Sequence, residues 1–339
     1  MRWGCYIAII LLGLSCKKRE IGPQFLVEPL FKGEKVLILN EGNFGWGNSS
    51  ITAYDPATYQ VANGVYNSAN NLPLGDVCQS GIRWGGYYLI VVNNSNKIEI
   101  LDTNTLEISD ELSALGSPRY VLPGQNGIAY VSDLYANELG VVDIVSGEFA
   151  TTIPVPGWVE EMVYANGSLY GTCPSNDCLV RVDTATNSLL ETISVEAGPA
   201  SIVKDRNEVL WTLSSGFGSV PARLSVIDPT TNNVVRVLEF DGTVQPAQLK
   251  INGAGDELYY IYGSGVCRMS IEATEVVSEA FIEGYGQTLY GLAVQPETGE
   301  IYLTDAKDFI QPGQAYRFSN TGQLLDSASC GIIPQSIVF

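Results

Sequence analysis

The chain has 339 residues, of which 45% are hydrophobic and 16% are charged, a composition that supports a packed core and argues against intrinsic disorder. Its formal net charge is −19, from 37 acidic and 18 basic residues, so we expect no binding to nucleic acid and none to anionic lipid through the folded surface. The sequence contains no histidine, which excludes Ser-His-Asp and Cys-His catalysis, histidine general bases and the usual zinc and haem ligand sets.

The N-terminus carries the pattern of a bacterial lipoprotein signal. An apolar run over residues 3–14 follows Arg2 and ends at Ser15-Cys16. About twelve apolar residues are too few to span a bilayer but suit a secretory signal. We therefore predict a signal peptide over residues 1–15, lipidation of Cys16 and a flexible tether over residues 16–33, followed by a folded domain over residues 34–339. An uncleaved membrane anchor with a chance cysteine is the alternative.

Residues 117–155 form a unit that recurs along the chain. Four short strands are predicted in it, over 120–123, 129–132, 140–144 and 149–155, and residues typical of turns separate them. Four strands in about 40 residues are typical of one blade of a β-propeller.

The corner after the third strand marks each copy of the unit. It is found at Asp55, Asp102, Asp143, Asp183 and Asp228, and in degraded form near Ser270 and Ser319. The spacing suits a blade period of roughly 40 to 50 residues. Seven corners predict an all-β, seven-bladed propeller of four-stranded antiparallel blades.

The two ends of the folded domain predict how the ring closes. Residues 35–39 match a second strand with no first strand before it, and residues 334–339 match a first strand. We expect the C-terminal strand to complete the N-terminal blade, which removes exposed sheet edges.

Loop length distinguishes the two faces of the predicted propeller. Tight turns join first to second strands and third to fourth strands, so that face is expected to be structural. The long loops, at 42–48, 67–76, 132–138, 154–160, 171–178, 214–222, 283–290 and 304–314, are rich in aromatic residues, Asn and Gly, which can stack on and hydrogen-bond to a large amphipathic molecule or a glycan. From these loops we select Phe44, Trp46, Asn71, Tyr135, Trp158, Phe217, Tyr285 and Phe309 as candidate ligand-binding residues. Packing of one loop on the next is the alternative.

The first residues of each first strand are expected to line the mouth of the central channel. By register these are Gln79, Arg119, Glu160, Ala200, Ala247, Tyr290 and Gln335. We add Gln79, Arg119, Glu160 and Tyr290 to the ligand-binding set; simple hydration of the channel is the alternative.

Cys173 and Cys178 flank a loop between two predicted strands, at a separation that lets a hairpin bring them together, and we expect them to form a disulfide. No second cysteine pair or histidine completes four metal ligands, so no metal site is predicted there.

Several strings give the chain a family resemblance. Residues 40–44 (NEGNF), 74–77 (LGDV), 91–99 (VVNNSNKIE) and 117–120 (SPRY) are similar to the YncE-like, surface-layer-type propeller lipoproteins of Gram-negative bacteria. The layout of lipid anchor, tether and seven blades resembles the BtuG-like members. This resemblance implies a lipid-anchored outer-membrane protein, on the cell surface rather than the periplasmic side, that captures cobalamin or another corrinoid and passes it to a TonB-dependent receptor.

Three functions follow in order of preference. The first is capture of a large ligand such as cobalamin by a protein that is not an enzyme, has no cofactor and is monomeric when free of its receptor. The second is a surface platform for adhesion, glycans or proteins. The third is a propeller lactonase or lyase, for which Glu160 and Asp76 with Arg119 would offer a thin metal site.

Overall fold

The computed structural model describes residues 35–339 except Ala114, Ala197, Thr243 and Gln287. The predicted signal peptide, the predicted lipidation site Cys16 and the predicted tether lie outside the described residues.

The described chain is almost entirely β-structure. The first half contains β1 (Val36–Asn40), β2 (Ser50–Asp55), β3 (Gln60–Asn63), β4 (Cys78–Trp84), β5 (Tyr87–Val92), β6 (Lys97–Asp102), β7 (Ile108–Leu112), β8 (Pro118–Pro123), β9 (Ile128–Asp133), β10 (Glu138–Asp143), β11 (Glu148–Pro154), β12 (Met162–Ala165), β13 (Ser168–Cys173) and β14 (Cys178–Asp183). The second half contains β15 (Ser188–Ser194), β16 (Pro199–Lys204), β17 (Leu210–Ser214), β18 (Arg223–Asp228), β19 (Asn233–Glu239), β20 (Ala247–Ile251), β21 (Glu257–Tyr262), β22 (Gly265–Ser270), β23 (Ile282–Glu283), β24 (Leu289–Val294), β25 (Ile301–Asp305), β26 (Pro312–Phe318), β27 (Leu324–Ile332) and β28 (Pro334–Val338). A short helix, α1 (Val65–Asn70), and two 3-10 turns, Asn93–Ser95 and Pro174–Asn176, interrupt them. No helix of the described residues is long and apolar enough to cross a membrane.

These strands form seven four-stranded antiparallel sheets, which confirms the predicted propeller. The first blade consists of β28, β1, β2 and β3, and each of the other six takes four consecutive strands. The first strand of every blade contributes to the wall of a central cavity of about 360 Å³. Apolar clusters lie between neighbouring sheets, so each blade completes the core of the next.

The ring closes as predicted. Strand β28 pairs antiparallel with β1, and Ile337 lies opposite Ile38. β1 is buried along its whole length, because β28 covers one edge and β2 the other.

The aspartate corners are local turns. In five blades the carboxylate at the end of the third strand accepts the backbone N–H two residues later, at 2.8–2.9 Å, a geometry that the sequence alone specifies. The backbone N–H groups of Thr105 and Asn104 lower the pKa of the Asp102 carboxyl, as expected for a carboxylate that accepts such bonds.

Buried aromatic side chains recur on the side of these corners, and two of them bond to the next blade. An aromatic residue recurs near the start of the second strand in six blades, at Tyr88, Tyr130, Tyr170, Trp211, Tyr259 and Tyr302. The hydroxyl of Tyr130 donates to Asn187 Oδ1 at 2.8 Å, and that of Tyr170 donates to Asn232 Oδ1 at 2.8 Å, each in the corner turn of the next blade.

We call the side with these corners the turn face and the opposite side, with the connections 41–49, 64–77, 134–137, 155–161, 215–222 and 306–311, the loop face. Two predicted loop lengths are wrong. Half of the segment 171–178 belongs to β13 and β14, so only residues 174–177 connect them. The corner of the sixth blade is long, because the two-residue β23 leaves residues 271–281 to cover β22.

Candidate functional site

Side-chain hydroxyls fix the backbone at the channel mouth on the loop face. Each lies on the second strand of one blade and donates to a main-chain carbonyl at or just before the first strand of the next. These bonds are Ser132 Oγ to Glu160 O at 3.2 Å, Thr172 Oγ1 to Ala200 O at 3.4 Å and Thr304 Oγ1 to Pro334 O at 2.6 Å. The mouth side chains therefore project from a backbone that neighbouring blades hold in place.

Arg119 is the centre of a buried polar network at this mouth. Its guanidinium donates to both oxygens of Glu160, with Nε to Oε2 at 3.1 Å and Nη2 to Oε1 at 2.9 Å. A third donor, Nη1, contacts Gln79 Oε1 at 2.6 Å. Such a two-point contact fixes orientation as well as charge. Burial raises the pKa of Glu160, although Arg119 opposes the effect, and Glu160 raises the pKa of Arg119 although burial lowers it.

Glu41 extends this network across the first blade, and the sequence interpretation missed it. The amide of Gln335 donates to the Glu41 carboxylate and accepts from Gln79 Nε2 at 3.2 Å. Tyr290 donates its hydroxyl to Glu41 Oε2 at 3.4 Å. Burial raises the pKa of Glu41 to about 7, against the opposing effects of Arg119 and of the Tyr290 hydrogen bond. Glu41 lies directly after the apolar strand β1, and that position was the available signal in the sequence.

Aromatic rings border one side of the network. Phe309 meets the Tyr290 ring edge to face, with centroids 5.6 Å apart, and its carbonyl accepts a hydrogen bond from Asn43 Nδ2 at 2.7 Å. The structure thus brings together Gln79, Arg119, Glu160, Tyr290 and Phe309, five of the twelve predicted ligand-binding residues.

Phe44 and Trp46 project from a fixed loop beside this border. Their side chains are 72% and 77% exposed. The loop is held by Asp76, whose Oδ2 accepts the N–H of Gly45 at 2.7 Å, and by the Asn48 side chain, which accepts the N–H of Asn43 at 2.7 Å. Two large exposed rings on a hydrogen-bonded loop form a preorganised apolar surface.

Three other predicted aromatic residues occupy separate positions on the loop face. Tyr135 and Phe217 are 82% and 83% exposed on loops of the third and fifth blades, and within the described residues no ring contact or hydrogen bond links their side chains to the mouth. Trp158 is half-buried, and its Nε1 has no hydrogen-bond partner in the described part of the chain.

The remaining two predicted residues have local roles. Tyr285 packs edge to face on Phe318, with centroids 4.9 Å apart, and contributes to the core of the seventh blade. Asn71 is exposed and ends α1 in a left-handed conformation, with its N–H on the carbonyl of Asn67.

The disulfide between Cys173 and Cys178 stays a prediction. The two residues are partners across β13 and β14, as expected, but both thiols are free. A hydrogen bond from one thiol to the other lowers the pKa of Cys173, and the Cys173 Sγ also contacts Asn176 Oδ1 at 3.7 Å.

Below the mouth, a second ion pair spans the channel. Lys250 Nζ from the sixth blade lies 2.9 Å from Glu161 Oε1, which precedes the first strand of the fourth blade. The other Glu161 oxygen accepts the N–H of Ile202 at 3.2 Å. Among residues 35–339, apart from the four that are not described, no group of three or more Cys, Asp and Glu side chains is arranged to hold a metal ion.

The arrangement suits binding. A floor of carboxylate, guanidinium and amide groups lies beside the contacting rings of Tyr290 and Phe309, and its formal charge is −1 from Glu41 and Glu160 against Arg119. Such a surface can hydrogen-bond to a ligand's polar groups while the rings cover its apolar part.

Solved structures share the fold at low sequence identity. A quinoprotein alcohol dehydrogenase-like protein from Bacteroides thetaiotaomicron has a TM-score of 0.68 and 14% identity, covering 90% of this chain and 77% of that one. A protein from Lactobacillus plantarum has a TM-score of 0.67 and 13% identity, covering 90% of this chain and 98% of that one. A streptogramin B lyase has a TM-score of 0.60 and 15% identity, covering 77% of this chain and 86% of that one. These similarities support the propeller fold alone.

No curated protein matches the sequence. A family model described as "Domain of unknown function (DUF5074)" matches residues 34–330, almost the whole propeller. The chain therefore belongs to the DUF5074 family.

Proposed function

We propose that the propeller captures a large, amphipathic small molecule on its loop face without transforming it. The observation that carries this proposal is the position of Phe44 and Trp46, which are exposed on a hydrogen-bonded loop beside the polar mouth. Asn43 of the same loop bonds to Phe309, whose ring contacts Tyr290 of the mouth network, so apolar and polar surfaces are continuous.

Cobalamin or another corrinoid is the ligand that we propose first. The resemblance to BtuG-like lipoproteins suggests it, and a corrin ring that carries amide side chains matches both parts of the site. Ring faces would lie on Phe44 and Trp46, and amides would donate to Glu41 or Glu160 and accept from Arg119.

We further propose that the protein is anchored in the outer membrane through a lipid on Cys16, on the cell surface, and that it passes its ligand to a TonB-dependent receptor. Incorporation of labelled palmitate in a Gram-negative host tests the anchor. We expect label in the natural chain and none in Cys16→Ser; label retained in that variant would contradict it.

Calorimetric titration of the purified protein with cyanocobalamin tests the function. We expect saturable one-to-one binding, which Phe44→Ala combined with Trp46→Ala weakens at least about 30-fold because two stacking surfaces are lost. Phe149→Ala is the matched control, since Phe149 is also exposed but lies on the outer strand β11. Absence of binding would exclude corrinoid capture and turn attention to glycan or protein partners.

A second candidate is acid–base catalysis at the same mouth, as in a propeller lyase or lactonase. The observation in its favour is Glu41, a carboxyl group whose raised pKa of about 7 suits proton transfer near neutral pH, beside Arg119 and Tyr290. Incubation with cyclic esters and depsipeptides, analysed by mass spectrometry, would detect ring opening. Turnover that disappears in Glu41→Gln would favour this candidate over capture alone.

A further inference from the structure

A second cavity opens on the turn face, opposite the candidate site. It measures about 660 Å³ and lies between the first and second blades and the turns of the seventh, at the lower end of the channel. Its lining includes Lys35, Pro56, Ile82, Arg83, Tyr302 and Phe339. This volume is in the range of small-molecule sites.

Two cations in this cleft have no carboxylate partner in the described part of the chain. The ammonium of Lys35, a residue that is only 7% exposed, donates to the carbonyl of Asn104 at 3.0 Å, and no described carboxylate lies within ion-pair distance of it. Arg83 is exposed and makes no ion pair there. Burial lowers the pKa of Lys35, while Asp102 acts in the opposite direction, which indicates an ammonium that is incompletely solvated.

Unpaired cations are unexpected in a chain with 37 acidic and 18 basic residues. Most lysines and arginines of the described residues lie within ion-pair distance of a carboxylate. Arg317, in the same cleft, is an example, because it lies 2.8 Å from Glu300 and 3.4 Å from Asp326. A carboxylate-rich protein that leaves Lys35 and Arg83 unpaired beside one cavity leaves room there for an external anion.

One part of the wall is polar and contains Gln295, Glu297, Thr298 and Glu300, of which Glu300 is paired with Arg317, whereas another part is apolar. Ile82, Ile337 and Val338 contribute aliphatic surface, and the rings of Tyr302 and Phe339 meet edge to face with centroids 5.3 Å apart. An apolar body could cover this surface while its charged end reaches the two cations.

We propose that the cleft is a second ligand site, specific for a small organic anion with a carboxylate, sulfonate or phosphate group at one end and an apolar body about two rings in size. Lys35 and Arg83 bind the anionic group, and Ile82, Ile337, Tyr302 and Phe339 hold the body. The site is independent of the loop face, so it does not depend on the function proposed above.

Two fluorescent probes that share the same rings test this proposal on the purified protein. Anilinonaphthalene sulfonate carries an anionic group, and phenylnaphthylamine is the same molecule without it. We expect the sulfonate to bind at one site and phenylnaphthylamine to bind about ten-fold more weakly or worse, since charge-assisted bonds are lost. Equal binding of both probes, or no binding of the sulfonate, would overturn the proposal.

Variants then locate the bound anion. Arg83→Ala should weaken sulfonate binding by about three- to five-fold, because Arg83 is exposed, and Lys35→Met by about ten-fold, because its ammonium is desolvated. Arg206→Ala, which removes the same charge from the turn between β16 and β17 on the same face, should leave the affinity unchanged. Since Arg83 is exposed, its variant will fold even if Lys35→Met does not, and unchanged affinity in Arg83→Ala would sink the assignment.

Discussion

The turn face and the loop face belong to the same seven blades, but the turn face is regular from blade to blade and the loop face is not. On the turn face one solution is repeated: five corners carry the same aspartate turn, and tyrosines such as Tyr130 and Tyr170 bond to the next blade in the same way. On the loop face the hydroxyl bonds of Ser132, Thr172 and Thr304 still repeat, but the side chains of the connections differ from blade to blade and the polar network at the mouth has no internal symmetry. Repetition therefore marks residues that maintain the ring, whereas departure from repetition marks residues available for binding.

Strand β28 has two roles, because it closes the ring and also carries Gln335 of the mouth. Deleting residues 334–339 should abolish cooperative unfolding, because β1 would lose its pairing edge and the first blade its innermost strand. Differential scanning calorimetry and near-ultraviolet circular dichroism measure this. A truncated chain that keeps one sharp transition would show that closure is dispensable.

Arg119→Met should be the most costly single substitution at the mouth. It leaves Glu160, a residue that is 7% exposed, as a buried carboxylate without its cation, at a cost of about 3–5 kcal/mol in the free energy of unfolding. Arg119→Met combined with Glu160→Met should recover much of that loss in urea denaturation. If the double variant is as unstable as the single one, the pair has a structural role beyond charge compensation.

The pH dependence of stability should come from the loop face through Glu41. Its pKa is about 7 in the folded protein and about 4.3 in an unfolded chain. Between these two pH values the carboxyl group is ionised in the unfolded chain but still protonated in the folded protein, which favours unfolding. The resulting destabilisation is absent below about pH 4 and grows to about 3 kcal/mol by pH 7. Glu41→Gln should therefore increase the free energy of unfolding, relative to the natural chain, more at pH 8 than at pH 4. A difference in urea midpoint that does not vary with pH would contradict this.

The smallest effects are expected from substituting one aromatic residue on each face. Tyr170→Phe on the turn face removes a buried hydroxyl from Asn232 and should cost about 1 kcal/mol. Trp46→Ala on the loop face removes a larger side chain, yet it should change the free energy of unfolding by less than about 0.5 kcal/mol, because the ring is 77% exposed. The reverse order in thermal denaturation would mean that the Trp46 loop supports the fold.

The sequence predicts the fold well because propeller signals are local. An aspartate followed by a turn specifies its corner through a bond two residues away, and alternating strands specify the faces of each sheet. Closure by β28 could be predicted from local signals too. In the sequence the N-terminal blade lacks a first strand, and the C-terminus supplies a first strand that belongs to no other blade. The two-residue β23 could not be predicted, because residues 271–281 are packed by Tyr260 and Arg236, contacts that no local pattern encodes.

The candidate site is only partly predictable. Register places Gln79, Arg119 and Tyr290 at the mouth, because first strands begin there in every blade. Glu41 escapes this argument, since it follows a second strand and meets Tyr290, which lies 249 positions away in sequence. Tyr285 has the composition of a binding residue but packs on Phe318, and loop membership alone does not distinguish the two roles.

The double role of β28 links ligand binding to the rate at which the ring opens between β28 and β1. Its Gln335 bonds to Glu41 and Gln79, which both belong to the N-terminal blades, so these bonds cross the joint between β28 and β1. A ligand bound to these groups would stabilise the pairing of β28 with β1, so amide protons of both strands should exchange with solvent more slowly in the ligand-bound protein. Under the proposed capture function, the propeller would then release its ligand most readily when the pairing of β28 with β1 is disturbed.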